Sequence, residues 1–582
     1  MSFVNHPTID TPLEKPIKMH STRINLPKLI RWQWATAFAL CLTAIPHVAY
    51  SQQTNKPNIL LIVADDMGFS DTSPYGGEIF TPNIASLAYQ GTMFTSFHVA
   101  PTCTPTRAML LTGRDNHDVG VGNMKELLAD NQFGKPGYEG GLNSRVITIA
   151  TMLREAGYHT YMAGKWHLGQ TKEQLPASQG FEDSVVLGEG GADNWEKKSY
   201  TPKYKTVHFY EGLREIELPA DFYSSKFYTD KLLGYIDKNA NDGKPFFGYL
   251  AFQAVHQPHQ APAEFTERYV WTYRAGWSAI KEIRYQRQVE LGLMPAGLEL
   301  LSLPGVPEWS SLSSDEQRMD AKRMAVYAGM LEYMDMSIGR VLDYLKDKKL
   351  LDKTVIIFMS DNGGEATELH DSFPGYYQKN FDLTYEHLGE KGTYSEYGPS
   401  WASVSMTPLS GFKIMTSEGG TRAPLIIRYP KKVATGQRTD AFVCVLDVVP
   451  TLLDLAGVVA QPSDNLAALG GRTMVPLLAG SSKEVHDSSE VFAIEIAGNT
   501  AVYRGEYKLV RNLPPFGDKE WHLYNFRLDP TEANDISSTN PDLVKTLTAA
   551  YADYIKKHGV VEVPDDYSVI EQAKKNMARA NH

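Results

Sequence analysis

The stretch "PNILLIVADDMG", residues 57–68, decides the fold. At its centre, residues 59–63 form an unbroken run of Ile, Leu and Val, and the carboxylates Asp65 and Asp66 follow shortly after. Short runs of this composition are typical of β-strands. In α/β sheets, ligands bind beyond the carboxyl ends of the strands. The position of the two carboxylates therefore predicts a functional edge of a sheet.

Three further apolar runs end in polar residues in the same way. They are "YHTYMAG" (158–164) before Lys165, Trp166 and His167, "FFGYLAF" (246–252) before His256, and "TVIIFMS" (354–360) before Asp361 and Asn362. Segments of helical character separate these runs, which predicts an α/β fold with a large sheet flanked by helices. We expect the four polar ends to converge on one site.

Composition limits the classes of protein that fit. The chain has 582 residues, of which 42% are apolar and 21% charged, so it is globular and long enough for a large α/β domain with a smaller one. The net charge of −11 argues against nucleic acid as a partner, because no basic excess is available to contact phosphates. A small anionic substrate is not excluded, since it needs only a local basic pocket.

The N-terminus has the features of a secretory signal peptide. Lys28 and Arg31 precede a short apolar run, residues 34–50. The small residues Ala49 and Ser51 lie where a cleavage site is expected. The run is short and contains Pro46, which argues against a membrane span. We therefore predict that residues 1–51 are removed, with Met19 as an alternative start, and that the protein is periplasmic or secreted.

The three cysteines have different predicted fates. Removal of the signal peptide eliminates Cys41. Cys444 lies in the apolar segment "AFVCVL" and is interpreted as an inert buried thiol. Exported proteins can form disulfides, but we predict none here, because the sequence around Cys103 suggests another role.

The chain changes character near residue 430. Two later segments, 501–511 and 521–530, resemble strands of a small antiparallel sheet. We predict a catalytic domain over residues 52–430 and a C-terminal part over 431–582 that contains a smaller α+β subdomain with this sheet.

Two long segments lie between the strands. Residues 264–346 are predicted to be mostly helical, with a helix start at Ser313 or Ser314. Residues 364–410 are rich in Tyr, Gly and Ser and show no clear period, which predicts a long functional loop.

The polar residues that follow two of the strands suggest a metal site. Four of them offer only oxygen ligands: Asp65, Asp66, Asp361 and Asn362. This set suits a hard cation, Ca²⁺ or Mg²⁺, whereas zinc prefers nitrogen and sulfur. Taken alone, the first pair could cap a helix or lie in a solvated turn. The second pair after another buried strand favours the metal.

The segment "CTPTR", residues 103–107, places a thiol, a proline and a cation together. Pro105 suits the first turn of a helix, so Cys103 is expected at a helix N-terminus, where the dipole favours an anion. Arg107 lies one turn further on. Both features stabilise negative charge near residue 103. The alternative interpretation is a half-buried cysteine that only packs.

This pentapeptide, followed by "TG", resembles the C-x-P-x-R signature of type I sulfatases. Supporting motifs are "GKWHLG" (164–169), "SDNGG" (360–364) and "FKIMTSEGGTRAPLIIRYP" (412–430). The resemblance covers about residues 56–540 and is closest to bacterial arylsulfatases, with similar segments at 274–287 and 505–530. It implies the fold of the alkaline-phosphatase superfamily, a large mixed sheet flanked by helices.

The resemblance also implies a nucleophile. Cys103 would be oxidised to Cα-formylglycine by a formylglycine-generating maturation enzyme and hydrated to a gem-diol, one oxygen of which attacks sulfur. Arg107 and Lys165 would fix the diol. The cation, typically Ca²⁺ in such bacterial enzymes with Mg²⁺ as an alternative, would be held by the four oxygen ligands named above.

The remaining implied roles concern the substrate. Lys165 and Lys413 would bind sulfate oxygens. His256 would assist the departing alcohol, with His259 as the alternative candidate. His167 would take the proton from the remaining diol hydroxyl and so expel sulfate.

The sequence leaves the details of the pocket open. Asn116 and His117 are further candidates for its lining. Specificity is expected in residues 115–140, 180–230 and 365–410.

The predicted activity is that of a sulfuric-ester hydrolase of arylsulfatase type, acting on small sulfate esters. An alternative is a phosphonate or phosphate ester hydrolase on the same fold, because such enzymes can carry the same cysteine motif and metal ligands. A third hypothesis is a non-catalytic binding protein that kept the fold. An intact metal site beside an unmodified Cys103 would favour it.

Overall fold

The structure is a computed structural model that describes residues 56–303, 306–459 and 468–580. The predicted signal peptide, together with Met19 and Cys41, lies outside the described residues. The described residues belong to one compact unit. None of the described helices combines the length and the apolar character needed to cross a membrane.

A large sheet organises the described residues. Its strands are β1 (Asn58–Ala64), β2 (Thr92–His98), β3 (His159–Lys165), β4 (Asp183–Leu187), β5 (Phe209–Glu211), β6 (Arg214–Ile216), β7 (Phe246–Ala251), β8 (Thr354–Ser360), β9 (Arg422–Arg428), β10 (Gln437–Thr439) and β11 (Val443–Cys444). The order across the sheet is β10-β2-β9-β8-β1-β7-β3-β4-β5-β6, and β11 also pairs with β2.

The sheet is mixed. Strands β8, β1, β7, β3 and β4 run parallel, whereas β9 is antiparallel to both of its neighbours, β2 and β8. The four apolar runs of the sequence are the four adjacent parallel strands β8, β1, β7 and β3. Their carboxyl ends therefore lie at one edge, as predicted.

Helices pack on this sheet and on the C-terminal residues. They are α1 (Pro82–Gln90), α2 (Cys103–Thr112), α3 (Ile149–Glu155), α4 (Ser224–Asn239), α5 (Ala263–Thr266), α6 (Trp277–Glu290), α7 (Ser314–Asp347), α8 (Leu369–Ser372), α9 (Pro374–Asn380), α10 (Gly398–Ser405), α11 (Glu418–Thr421), α12 (Val448–Ala456), α13 (Val475–Leu478), α14 (Pro541–His558) and α15 (Val569–Ala580). The predicted start of α7 is confirmed, because Ser313 is its N-cap and forms a capping box with Glu316.

The central strands are apolar throughout because both faces of the sheet are covered. Along β1, Leu60 and Ile62 belong to one hydrophobic core, while Ile59, Leu61 and Val63 belong to the other. Successive side chains of a strand point to opposite faces. A strand buried on both faces therefore loses the polar alternation of an exposed sheet.

The C-terminal residues form the predicted second sheet. It is antiparallel and consists of β12 (Val491–Ile496), β13 (Asn499–Arg504), β14 (Tyr507–Arg511) and β15 (His522–Asn525). The fold class is thus confirmed. The domain division at residue 430 stays a prediction; β10 and β11, which follow it, pair within the large sheet.

Residues 364–410 are less irregular than the sequence suggested. They contain α8, α9 and α10. An aromatic cluster that includes Tyr377, Phe381 and Tyr394 packs this segment. Helices of four to eight residues are too short to show a clear apolar period.

Candidate active site

Two pairs of polar residues lie side by side at the carboxyl edge of the large sheet. Asp65 and Asp66 follow β1, and Asp361 and Asn362 follow β8; all four are buried. The last residues of these parallel strands pair with each other. As a result, the backbone N–H of Asp66 donates to Asp361 Oδ1 (3.2 Å), and Asn362 Nδ2 donates to Asp66 Oδ1 (2.7 Å).

This oxygen-rich cluster fits a hard cation. Burial raises the pKa of Asp65 well above its usual range, and the neighbouring charge of Asp361 adds to this effect, while Lys165 opposes it. Asn362 Oδ1 is buried, and the described residues offer it no hydrogen-bond partner. A buried polar atom without a partner is costly. A Ca²⁺ or Mg²⁺ ion would supply that partner and offset the repulsion among the carboxylates.

Cys103 begins α2, as predicted, and is buried. Its Sγ lies 3.7 Å from His167 Nδ1. Burial raises the pKa of the thiol, but the charges of Lys165 and Lys413 and the contact with His167 outweigh it and bring the pKa down to about 7. The surroundings of residue 103 therefore stabilise an anion.

Arg107 connects the helix to the carboxylates. Its Nε and Nη2 each lie 2.8 Å from Asp361 Oδ2, and Nη1 donates to the carbonyl of Lys165. The guanidinium group of Arg107 thus lies in the site. Its nearest partners in the structure are carboxylates, and its effect on residue 103 is electrostatic.

Two buried lysines flank the same space. Lys165, the last residue of β3, donates from Nζ to both carboxylate oxygens of Asp65, at 2.8 and 2.6 Å. Lys413 Nζ lies 2.7 Å from Asp66 Oδ2 and 2.8 Å from Glu365 Oε2. Lysines are rarely buried unless they are paired, so these contacts account for their position.

Two histidines complete the set of predicted side chains. His167 follows β3 and faces residue 103, with Nδ1 3.0 Å from Thr104 Oγ1. His256 Nε2 lies 3.5 Å from Asp66 Oδ2, while its Nδ1 contacts the carbonyl of Gln257. Burial lowers the pKa of His256 well below its usual range, and the charges of the two lysines lower it further.

Backbone strain marks two of these positions. Asp66 and His167 both have positive φ values, 59° and 56°. Non-glycine residues adopt this conformation rarely, and such residues cluster at functional sites.

The other histidine candidates lie elsewhere. His259 packs edge-on against the stacked rings of Tyr327 and Tyr397, and burial lowers its pKa to about 3. His117 contacts Asp115 and Glu495.

Asn116, the remaining candidate for the pocket lining, donates to the carbonyl of Val121. The hydrogen bonds of Asn116 and His117 therefore lead away from the site. The geometry brings His256 to the carboxylates in preference to His259.

Two family models match the chain. The sulfatase model covers residues 57–458, which include every side chain of the site described above. The chain belongs to the sulfatase family. A second model, described as N-sulphoglucosamine sulphohydrolase, C-terminal, matches residues 412–557, which include the four-stranded sheet of this sulfatase.

Curated relatives and solved structures agree with this family. The sulfatase is 39% identical to an uncharacterized sulfatase of Schizosaccharomyces pombe, over 89% of this chain and 97% of that protein. It is 36% identical to an arylsulfatase of Klebsiella aerogenes, over 74% of this chain and 92% of that protein. The structure of Ps i-CgsB in complex with k-i-k-neocarrahexaose covers 86% of this chain and 92% of its own, with 26% identity and a TM-score of 0.62.

Sequence reasoning missed two acidic residues of the sulfatase site. Glu365 binds Lys413. It directly follows the "SDNGG" motif, so its position in the sequence could have identified it as a site residue. Glu126 Oε1 lies 3.9 Å from His167 Nε2 and accepts a 2.6 Å hydrogen bond from the Tyr204 hydroxyl. No local pattern distinguishes Glu126, because its partners are distant in the chain.

Segment 188–204 packs over both histidines. A Cβ added at Gly190 would lie 2.6 Å from the ring of His167, and one at Gly191 would lie 3.2 Å from the ring of His256. The ring of Tyr200 meets His256 edge-on at 5.6 Å. Specificity was expected in residues 115–140, 180–230 and 365–410. These regions contribute Glu126, Tyr200 and Glu365, respectively, at or beside the site.

Proposed function

We propose that this sulfatase is a sulfuric-ester hydrolase of arylsulfatase type that uses residue 103 as a formylglycine and a bound Ca²⁺, with Mg²⁺ as the alternative ion. The observation that carries the proposal is the position of Cys103: it lies near two buried lysines and beside the carboxylate cluster. Two lysine ammonium groups beside a modifiable side chain, together with a cation held by the carboxylates, would suit an anionic ester. The arylsulfatase relative at 36% identity supports the same substrate class.

The modified residue and the cation would supply what the unmodified chain lacks. Formylglycine supplies a hydrated aldehyde as the nucleophile, and a maturation enzyme acting on "CTPTR" would produce it. The cation, held by Asp65, Asp66, Asp361 and Asn362, supplies a Lewis acid. The apolar run at 34–50 supports export of the protein to the periplasm or medium.

The chain's own residues would bind the ester and move protons. An ammonium group has three donors, and Lys413 uses two of them on Asp66 and Glu365, so one remains for a sulfate oxygen. Lys165, which is paired with Asp65, would contribute its charge. His256 would donate a proton to the leaving oxygen. The anionic ester would offset the two lysine charges that lower the pKa of this histidine.

His167 would act as the base towards residue 103. Its Nδ1 is a hydrogen-bond partner of that side chain, at 3.7 Å from Sγ. Thr104 and Glu126 hold the ring on either side.

The choice between sulfate and phosphonate esters is tested by relative turnover. We expect kcat/KM for 4-nitrophenyl sulfate to exceed that for 4-nitrophenyl phenylphosphonate and 4-nitrophenyl phosphate with the same purified protein. A higher kcat/KM for either phosphorus ester would favour the alternative function. No turnover of any ester by protein with an intact metal site would favour a binding protein.

His256→Ala should discriminate between leaving groups. General acid catalysis contributes about 10²–10⁴-fold, and a poor leaving group needs it most. We expect a loss of this size for phenyl sulfate and a much smaller one for 4-nitrophenyl sulfate, measured as kcat/KM. Each substrate is the internal control for the other. Equal losses would remove His256 from the acid role, and His259 would be the next residue to replace.

Glu126→Gln should reveal a positioning role for this carboxylate. Burial lowers the pKa of His167, but Cys103 and Glu126 outweigh it and raise the pKa. Loss of the Glu126 charge should therefore lower that pKa, so that the neutral base persists to lower pH. We expect kcat to fall by less than the roughly 10²–10⁴-fold that general base catalysis contributes. The acidic limb of the pH profile of kcat should shift to lower pH.

A matched control lies at the other end of β3. Glu182 pairs with His159, the first residue of that strand, at 2.7 Å on the surface. Glu182→Gln should leave the profile unchanged. A reduced kcat in Glu126→Gln without any shift of the acidic limb would mean that Glu126 only supports the loop.

A further inference from the structure

A second cluster of metal-ligating side chains lies outside the active site. Cys444 ends β11, Asp447 follows three residues later, and His486 lies before β12. The ligand atoms of these three residues all lie within 4.8 Å of one another. Cys444 and Asp447 are buried, and the His486 side chain is 15% exposed. No motif of the active site includes any of them.

Backbone contacts hold the carboxylate of this cluster in place. Asp447 Oδ2 accepts from the N–H of Cys444 (2.8 Å), and Oδ1 accepts from the N–H of Arg472 (2.7 Å). These bonds orient the carboxylate towards the thiol and the imidazole. The position is therefore fixed before any ligand binds, which lowers the cost of assembling a site.

The imidazole lies between two carboxylates. His486 Nδ1 is 3.2 Å from Glu490 Oε2, and Nε2 is 2.9 Å from Asp447 Oδ2. If Nδ1 donates its proton to Glu490, the lone pair of Nε2 faces the lone pairs of Asp447. At 2.9 Å a proton lies between them, and a metal ion that replaced it would bind both atoms after they moved slightly apart. A carboxylate behind the far nitrogen of a metal-binding histidine is a recurrent arrangement at zinc sites.

The cluster is open to solvent through a cavity. The cavity has a volume of about 990 Å³, and Cys444, His486 and Glu490 are among its lining residues. An ion can therefore reach Cys444 and His486, and the ligand atoms of the buried Asp447 and of these two residues lie within 4.8 Å of one another. A water molecule can occupy a fourth position. Zinc commonly takes three protein ligands and a water.

We propose that Cys444, Asp447 and His486 form a zinc site, with Glu490 orienting the histidine. Sulfur and nitrogen ligands select zinc over calcium, whereas the active site has only oxygen ligands for its cation. Binding releases the thiol proton to solvent, so that the thiolate becomes the ligand. The ion would tie β11 to the loop before β12 and so join the large sheet to the C-terminal sheet.

Metal content and a cobalt spectrum test the proposal. In full-length protein carrying Cys41→Ala and Cys103→Ala, Cys444 is the one remaining thiol of the three in the sequence. We expect this protein to retain one equivalent of Zn²⁺ after dialysis. Co²⁺ in place of Zn²⁺ should give a thiolate-to-cobalt charge-transfer band. Both signals should be lost when Cys444→Ser or His486→Gln is added.

Matched variants separate ligation from surface binding and misfolding. His522 also lies between two carboxylates, Asp518 and Asp535, on the surface, and His522→Gln should keep the zinc. Glu490→Gln should weaken zinc affinity about 10–100-fold. Circular dichroism verifies that each variant is folded. Failure of the folded parent protein to retain zinc, or the same zinc content in Cys444→Ser, would overturn the proposal and leave a protonated His486 held by two carboxylates.

Discussion

Replacing Cys103 with alanine is expected to abolish sulfate ester hydrolysis. Loss of a nucleophile that acts as part of a catalytic unit costs on the order of 10⁶-fold in kcat. Alanine is a good helix former, and residue 103 begins α2 in a buried position, so the fold should be retained. Turnover of 4-nitrophenyl sulfate and a thermal unfolding curve measure the two effects separately.

The other described cysteine provides the control for this variant. Cys444 is also buried and free, but it lies outside the set of active-site contacts. Cys444→Ala should keep the turnover of the parent protein. Residue 103 would not be the nucleophile if Cys103→Ala kept more than a small fraction of the parent protein's turnover while Cys444→Ala lost that turnover.

Asp361→Asn is expected to reduce metal binding and turnover together. Asp361 accepts hydrogen bonds from Arg107 and from the backbone of Asp66, and it is a proposed ligand of the cation. Changing a residue that only supports a metal ligand costs about 10–100-fold, so we expect loss of a ligand charge to cost at least about 10²-fold in kcat/KM. Calcium content and turnover after dialysis measure the two losses.

Asp335 offers a buried carboxylate for comparison. It accepts hydrogen bonds from the start of α1, at Asn83 and Ile84. Asp335→Asn should lower the unfolding temperature but leave the calcium content and turnover of the folded protein unchanged.

Chelation tests the same oxygen site without a mutation. After removal of metal from the parent protein, Ca²⁺ or Mg²⁺ should restore turnover. Restoration by Zn²⁺ alone would contradict the argument from oxygen ligands.

The central part of the fold could be predicted because local chemistry determines it. The runs that become β1, β3, β7 and β8 are apolar along their length, since both faces of each strand are covered. The polar residues that end these runs then meet at one edge, since the strands are parallel neighbours. The proposed metal ligands follow from the same reasoning, whereas the position of Cys103 at the start of α2 follows from Pro105 two residues later.

The remaining features depend on contacts between distant residues. Glu126 reaches His167, and Tyr200 packs on His256, through loops whose course no short pattern specifies. His117 illustrates the same limit. It follows the "TGRD" segment after α2, yet its ring bonds to Glu495, which lies 378 residues further along the chain. Segment 364–410 was predicted as one long loop because its helices are only one or two turns long.

The most direct test of the central claim is the mass of the peptide that contains residue 103, from protein that hydrolyses 4-nitrophenyl sulfate. Conversion of cysteine to formylglycine removes one sulfur and two hydrogens and adds one oxygen. We predict that active protein contains the converted peptide and that specific activity rises in proportion to its fraction across preparations. Full activity in protein whose residue 103 is entirely unmodified cysteine would contradict the account.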